Sequence, residues 1–391
     1  MQSPHSPPRS RLATLRELAL LFLRLGATAF GGPAAHIALM EEEVVRRRGW
    51  LDREEFLDLL GATNLIPGPN STEMAIHVGR RRAGWPGLLV AGACFILPAS
   101  LITLAVAWAY VRYGFLPEAK QMLYGVKPVM IAVVLQALGS LGRTALKSRG
   151  LVALGLCGVV ASLAGVNELL LLLLAGVLAS LLFRASATRT PGPGVQALTP
   201  VAVAGSASAA PAGAVAFGLL PLFLFFLKIG AILFGSGYVL LAFLHADLVE
   251  RWRWLTSSQL LDAIAVGQIT PGPVFSTATF IGYVLGRAPG AALATLGIFA
   301  PAFVFVALSG PLVARLRRSP TAGAFLDGVN VASLALMATV TWYLGRAAVV
   351  DPLTIVLLIA SALALLRTRV NSIWLVLGGA LIGVLAHGGG R

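Results

Sequence analysis

Charge is what this sequence most lacks. Only 12% of its 391 residues are Asp, Glu, Lys or Arg, against the ~25% usual in a water-soluble chain. Leu, Ala, Val and Gly fill the deficit: 57% of the chain is hydrophobic and the mean hydropathy is +0.85. A sizeable soluble domain is thereby excluded. At ~20 apolar residues per crossing the chain can supply on the order of ten crossings of a bilayer. Cysteine is equally scarce. Cys94 and Cys157 both lie in apolar stretches, which rules out a disulfide framework and a multi-thiolate metal site. The five histidines, His5, His36, His77, His245 and His387, show no HxxH or HExxH spacing, so no metal is expected. Neither a cofactor motif nor a catalytic constellation is visible, and an enzyme is not expected. The opening, Met1 to Arg11, is Pro/Ser-rich and basic and precedes an apolar run, which superficially resembles a secretory signal. The same apolar run recurs later in the chain, which argues against that reading.

What is present is a repeat. LFLRLGATAFGG at Leu21 to Gly32 returns as FFLKIGAILFGS at Phe225 to Ser236, an offset of 204. Without gaps, that offset aligns Trp50-Leu51 with Trp254-Leu255, Asp58 with Asp262, and Pro67-Gly68-Pro69 with Pro271-Gly272-Pro273, and gives 16 identities in 52 positions. One deleted residue shifts the offset to 203, at which Pro86-Gly87 matches Pro289-Gly290 and Leu141-Gly142-Arg143 matches Leu344-Gly345-Arg346. Apolar composition alone produces Leu and Ala matches, not Trp, Asp, PGP and LGR in one register. Four segments follow: a basic tail at 1–12, a first repeat at 13–183, a Pro/Gly/Ala/Ser linker at 184–216 and a second repeat at 217–391. The linker carries its own Pro-Gly-Pro at 191–193, so register, not the tripeptide, gives the motif meaning.

Each repeat reads as an apolar segment broken by glycine (Leu15 to Val45, broken at Gly31-Gly32-Pro33), an amphipathic stretch ending in PGP, and four further apolar runs, at 86–112, 121–146, 150–164 and 167–183 in the first copy. With the PGP segment as a re-entrant hairpin, the expected fold is all-α and polytopic. It has two homologous repeats of about five transmembrane helices plus re-entrant, broken helices. An odd count inverts one repeat against the other. Basic residues bear on this: Arg46, Arg47, Arg48, Arg80, Arg81, Arg82, Arg143, Lys147 and Arg149 gather on one side of the first copy, whereas the second gains Arg315, Arg317, Arg318, Arg367 and Arg369 on the opposite side of the unit. Arg9, Arg11 and Arg16 fit this count poorly. The net charge of +14 is thus a topological signal in a multi-pass protein of the lipid bilayer, and no nucleic-acid partner is expected.

Broken helices expose backbone N–H and C=O groups that hydrocarbon does not tolerate unless they line a cavity or pack against protein. Matched breaks in inverted repeats are the plan of secondary transporters, where half-helix N-termini face a bound anion near the midplane. The candidate substrate residues are therefore Gly31, Gly32, Pro33, Asn64, Pro67, Gly68, Pro69, Asn70, Ser71 and Thr72 in the first copy, and Gly235, Ser236, Gln268, Pro271, Gly272, Pro273 and Ser276 in the second. Each break taken alone is better explained as a kink or a close-packing point, and it is the duplication in register that favours a substrate pathway. Lys127, inside a span, either balances an anion or snorkels to the interface. His36 and Glu73 titrate and sit at breaks, which makes them the candidates for proton coupling. Arg143 and Arg346 read as interfacial anchors, as do Trp50 and Trp254.

FGGPAAH at Phe30 to His36 and NLIPGP at Asn64 to Pro69, echoed by FGSG at Phe234 to Gly237 and QITPGP at Gln268 to Pro273, resemble the chromate ion transporter family in its long, two-domain form. The resemblance implies an inner-membrane carrier that exports chromate from the cytoplasm, driven by the proton gradient and conferring resistance. Leu240 stands where the first copy has His36, which centres the expected site on the first copy. A tetrahedral oxyanion and protons are the expected partners, with no cofactor, and a homodimer is compatible with the sequence. Sulfate shares chromate's shape and charge and is the alternative cargo. A passive anion channel, and a lipid-phosphate enzyme using His77 with Arg80-Arg81-Arg82, are the remaining alternatives.

Overall fold

The computed structural model describes residues 11–30, 32–114, 116–187, 216–234, 239–317, 319–368, 370 and 372–388. Every regular element among them is a helix: α1 (Arg11–Thr28), α2 (Gly32–Glu41), α3 (Arg53–Thr63), α4 (Asn70–Tyr113), α5 (Pro117–Ala145), α6 (Arg149–Leu163) and α7 (Glu168–Ala187) in the first repeat. In the second they are α8 (Leu219–Ile232), α9 (Leu240–Phe243), α10 (Ser257–Ile269), α11 (Thr277–Arg317), α12 (Pro320–Ala348), α13 (Pro352–Arg367) and α14 (Ser372–Gly388). Of the linker expected at 184–216, residues 184–187 complete α7 and 188–215 lie outside the described residues.

Local chemistry sets the helix starts. Asp52 caps α3 by accepting from the Glu55 N–H, Thr256 and Gln259 form a reciprocal capping box at α10, and Pro117, Pro320 and Pro352 occupy first-turn positions where no N–H is needed. The repeat extends to irregularities. α2 and α9 each run into a π-helical turn, at 42–47 and 244–251. Positive φ recurs at Gly49 and Arg253, and at Gly84 and Arg287, where α4 and α11 each fold back into a short and a long arm. The arms touch backbone to backbone at Gly79 and Gly87, and at Gly282 and Gly290.

The broken segments do not cross from end to end. Arg81 pairs with Glu55 and Arg82 lies 3.9 Å from Glu17. Trp50 sits under the guanidinium groups of Arg48 and Arg82, at 5.2 and 5.1 Å. The starts of α1 and α3, the end of the π-turn after α2 and the end of α4's short arm are thus at one end of the molecule, the Trp50 end. The first apolar segment turns back at its glycine break as the PGP segment does, and Arg24 of α1 bonds Glu43 across the hairpin at 2.5 Å. Lys228 and Asp247 repeat that ion pair in the second copy at 2.7 Å. With both hairpins returning to their start, Arg11 and Arg16 lie at the same end as Arg80, Arg81 and Arg82, which removes their misfit in the charge pattern.

The second repeat runs the other way. Its base, at Arg251 and Asp262, meets the far end of the first: Arg251 lies 3.8 Å from Glu168, and the Tyr110 hydroxyl donates to Asp262 at 2.9 Å. Conversely, Arg80 donates to the Ala307 carbonyl at 2.7 Å, and Lys147 pairs with Asp327 at 2.7 Å. The inversion rests on these contacts and not on the expected odd count of crossings, because the first segment turns back.

The repeats are also interleaved. α5 packs against α13 and α14 of the other copy, and α12 against α6 and α7. Two bodies result, each built from both copies: a hairpin body of α1–α4 with α8–α11, joined along α4 and α11, and a scaffold of α5–α7 with α12–α14. Glycines permit the closest approaches. A Cβ on Gly125 would fall on the Gly379 carbonyl, and one on Gly328 on the Ala175 carbonyl. Membrane helices associate through such small-residue contacts because lipid gives no hydrophobic drive between them.

Topology reporters placed before Arg11 and after Arg149 will report the same side of the membrane, and a reporter after Arg346 the opposite side. Opposite signals from the first two would mean that the α1–α2 segment spans.

Candidate functional site

The two PGP breaks are stitched across the repeats. Gly68 donates its N–H to the Leu233 carbonyl at the end of α8, and Gly272 donates to the Ala29 carbonyl at the end of α1, both at 2.8 Å. Leu233 and Ala29 are equivalent under the 204-residue offset, so the contact is one interaction made twice about a pseudo-two-fold axis. Each loop thereby finds within the protein a partner for an N–H that lipid cannot satisfy. Both glycines have positive φ, +137 and +85. A side chain on Gly68 would strike the Glu73 carboxyl, and one on Gly272 would come 2.6 Å from Ala99.

Beyond this stitch the two sets of breaks differ. A cavity of about 650 Å³ opens beside the first copy, lined by Gly32, Pro33 and Ala34, by Asn64 and Asn70, by Gln136, Ser140, Thr144 and Lys147 of α5, and by Asp327, Asn330 and Ser333 of α12. The N-termini of α2 and of α4's short arm meet at its wall, so two positive dipole ends face one aqueous space. The Asn70 amide donates to Asn64 at 2.8 Å and fixes the two against each other. The only carboxylate among the lining residues, Asp327, is neutralised by Lys147.

Of the expected residues, Gly32, Pro33, Asn64 and Asn70 are brought together at the cavity. Pro67, Gly68, Pro69, Ser71 and Thr72 lie behind it and shape the break, with Gly68, Pro69, Ser71 and Thr72 buried. Gly31, Gly235 and Ser236 lie outside the described residues. Pro271, Gly272, Pro273 and Ser276 are buried and Gln268 is half-buried, none of them lining the cavity. Ser276 accepts from Thr103 at 3.2 Å, and Thr103 also reaches Thr270 at 3.4 Å. Lys127 does not line the cavity either; it pairs with Asp262 at 3.3 Å and donates to Ser258 at 2.6 Å.

The two expected proton-coupling residues flank the first copy's breaks. His36 donates through Nε2 to the Ala29 carbonyl at 3.1 Å, the same oxygen that accepts from Gly272, while its Nδ1 has no partner. Glu73 is fully buried and neither of its oxygens is hydrogen-bonded; Thr72 Oγ1 and His77 Nε2 are likewise unpaired. Unsatisfied polar atoms are costly in a membrane interior and mark function. Most of them here cluster in the first copy, whereas the second copy's break is closed by Thr103. Of His77 and Arg80-Arg81-Arg82, the cluster a lipid-phosphate enzyme would use, the arginines are engaged by protein: Arg80 bonds the carbonyls of Val306 and Ala307, Arg81 pairs with Glu55 and Arg82 faces Glu17.

Of the scaffold wall, only Asp327 stands out in the sequence, as an ionisable residue within an apolar run. Gln136, Ser140 and Thr144 recur every four residues, and Asp327, Asn330 and Ser333 every three, which puts each set on one face of its helix. A polar stripe on an otherwise apolar helix was the available signal.

Broken half-helices, inverted interleaved repeats and a polar cavity at their junction define a multi-pass membrane transporter. The chain belongs to the chromate transporter family, whose profile matches residues 16–181 and again 220–384. It is 32% identical to the chromate transport protein of Cupriavidus metallidurans over 96% of this chain and 94% of that one. It is 31% identical to the chromate transport protein of Pseudomonas aeruginosa, over 94% and 92%, and 30% identical to the probable chromate transport protein of Synechococcus elongatus, over 86% of each. This is a family of transporters, not of enzymes. No solved structure matches the chain.

Gly68→Ala and Gly272→Ala will each lower the detergent melting midpoint, since both force a side chain into backbone geometry that costs roughly 1–3 kcal/mol. Gly323→Ala, at a position with open space around it, will leave the midpoint unchanged or raise it. Equal midpoints for all three would show that the stitch has no structural weight.

Proposed function

We propose that the protein exports chromate across the inner membrane, carrying the dianion at the junction of the α2 and α4 half-helices. The observation that supports this best is the convergence of two helix N-termini with the Asn64, Asn70, Gln136, Ser140, Asn330 and Ser333 side chains on one open cavity. A tetrahedral oxyanion presents acceptors in every direction, and this wall offers backbone N–H, amide and hydroxyl donors to replace its water. The relatives' names identify chromate as the cargo of those proteins.

Charge supports the direction. The Trp50 end carries Arg46, Arg47, Arg48, Arg53, Arg80, Arg81, Arg82 and Arg149, against Arg112, Lys120, Arg251, Arg253, Arg287 and Arg346 at the other, so by the positive-inside rule it is cytoplasmic. The cavity's Lys147–Asp327 rim is at that end, and it loads from the cytoplasm. Alternating access then moves the hairpin body against the scaffold; the copies themselves are too interleaved to rock as units. The proton enters through Glu73 and His36. A carboxyl with neither oxygen paired is the group whose energy changes most on binding or losing a proton, and Glu73 lies directly beneath the Gly68 loop.

Everted vesicles will accumulate labelled chromate, an uncoupler will abolish the uptake, and excess sulfate will measure selectivity. Asn64→Ala and Asn330→Ala will each lower transport efficiency by roughly tenfold, the loss of one hydrogen bond to a charged ligand. Chromate uptake that is absent, or indifferent to both the uncoupler and these substitutions, would contradict the coupled-carrier reading.

A further inference from the structure

The cavity at the Trp50 end has a mirror position at the Trp254 end, and it is shut. Under the repeat's register Lys127 stands where Asn330 stands, Thr339 where Gln136 stands, and Asp262 where Asp58 stands. Asn330 and Gln136 line the open cavity, whereas Thr339 is 4% exposed. The helices carrying the two aspartates differ in the same sense. α10 is buried from Leu260 to Gly267 and packs against α5, α12 and α14, while α3 buries Phe56, Ala62 and Thr63 and packs against α4 and α11. Apart from the α11–α12 corner, the substantial contacts between the hairpin body and the scaffold are made by α9 and α10.

At that closed seam sits a polar cluster spanning both bodies. Lys127, on the scaffold, pairs with Asp262 of the hairpin body at 3.3 Å and donates to Ser258 at 2.6 Å, while Tyr110 donates to the other Asp262 oxygen at 2.9 Å. The Asp262 side chain is 4% exposed and that of Lys127 18%. Separating α10 from α5 cannot occur without breaking this ion pair. At the open end the equivalent positions hold Asp58 and Asn330, both exposed and unable to form an ion pair with each other.

We propose that Lys127, Asp262, Tyr110 and Ser258 form the gate of a second vestibule, the pseudo-symmetric counterpart of the open cavity, and that release of Asp262 turns Lys127 to line it. The inference rests on the carrier reading above and adds the exit path and its lock. Lys127 is then a cation that faces the anion only on the exit side. The two gates are unequal: an ion pair holds the exit closed, whereas the equivalent entry positions, Asp58 and Asn330, cannot pair with each other, and the resting protein is open at the Trp50 end.

The test reads gate opening without any substrate, which separates it from the chromate assignment. In full-length protein carrying C94A and C157A, reconstituted in nanodiscs, a polar maleimide labels T339C slowly. D262N leaves Lys127 unpaired and will speed that labelling at least about tenfold, and the exchanged pair K127D/D262K will restore the slow rate. K127Q is read in the same way should D262N not fold by size exclusion. A companion reporter, Q136C, will label fast in the parent and more slowly with N330K, which installs at the entry the cation that the exit gate has. Unchanged T339C labelling in the single variants, or an exchanged pair as fast as D262N, would overturn the gate.

Discussion

Two hydrogen bonds, from Gly68 to Leu233 and from Gly272 to Ala29, are the constraint on which the rest of this structure depends. A helix broken inside a membrane frees backbone groups that must be satisfied by protein or lie against water. Here each repeat satisfies the other's break, and it does so twice because the repeats are related by a pseudo-two-fold axis. The reciprocity explains why the tripeptides hold register over 204 residues. It also explains the glycines: the loops pass so close to Glu73, Ala99 and Gly26 that a β-carbon has no room. Stitched in this way, the Gly68 and Gly272 N–H groups are satisfied within the protein.

From that junction the architecture divides by body rather than by copy. α5 and α12 each take their main helical partners from the opposite repeat, so the duplicated unit is not the mechanical unit. The hairpin body carries the backbone charges of the breaks and the unpaired Glu73 and His36 atoms, while the scaffold supplies the amide and hydroxyl stripes. The proposed substrate contacts are thus divided between the two bodies, which is what a carrier requires and a pore does not. Two copies of one fold in unequal environments, α3 beside a cavity and α10 buried, are the static record of that asymmetry.

Much of this was legible in the sequence. The four apolar runs after PGP coincide closely with α4's long arm, α5, α6 and α7, since apolar runs bounded by polar corners leave little choice. The four residues placed at the cavity, Gly32, Pro33, Asn64 and Asn70, came from breaks in register. The return of the first segment was hidden because hydropathy measures length, not direction; the misplaced charges of Arg11 and Arg16 were its trace. The exchange of partners by α5 and α12 left no one-dimensional signal at all. Lys127 shows the limit most clearly: its depth in a span marked it as functional, but its partner Asp262 lies 135 positions away in the other repeat.

In a carrier of this kind one end closes as the other opens around a bound oxyanion. Spin labels on α3 at Leu57 and on the scaffold at Lys147 span the Trp50 end, and labels at Ser257 and Lys120 span the other. Pulsed electron-spin distance measurements in nanodiscs, with and without chromate and across a range of pH, report both ends. Alternating access gives a second population in which the first distance shortens and the second lengthens together. Distances that stay fixed, or that lengthen at both ends at once, would contradict alternating access and point to a static binder or a channel.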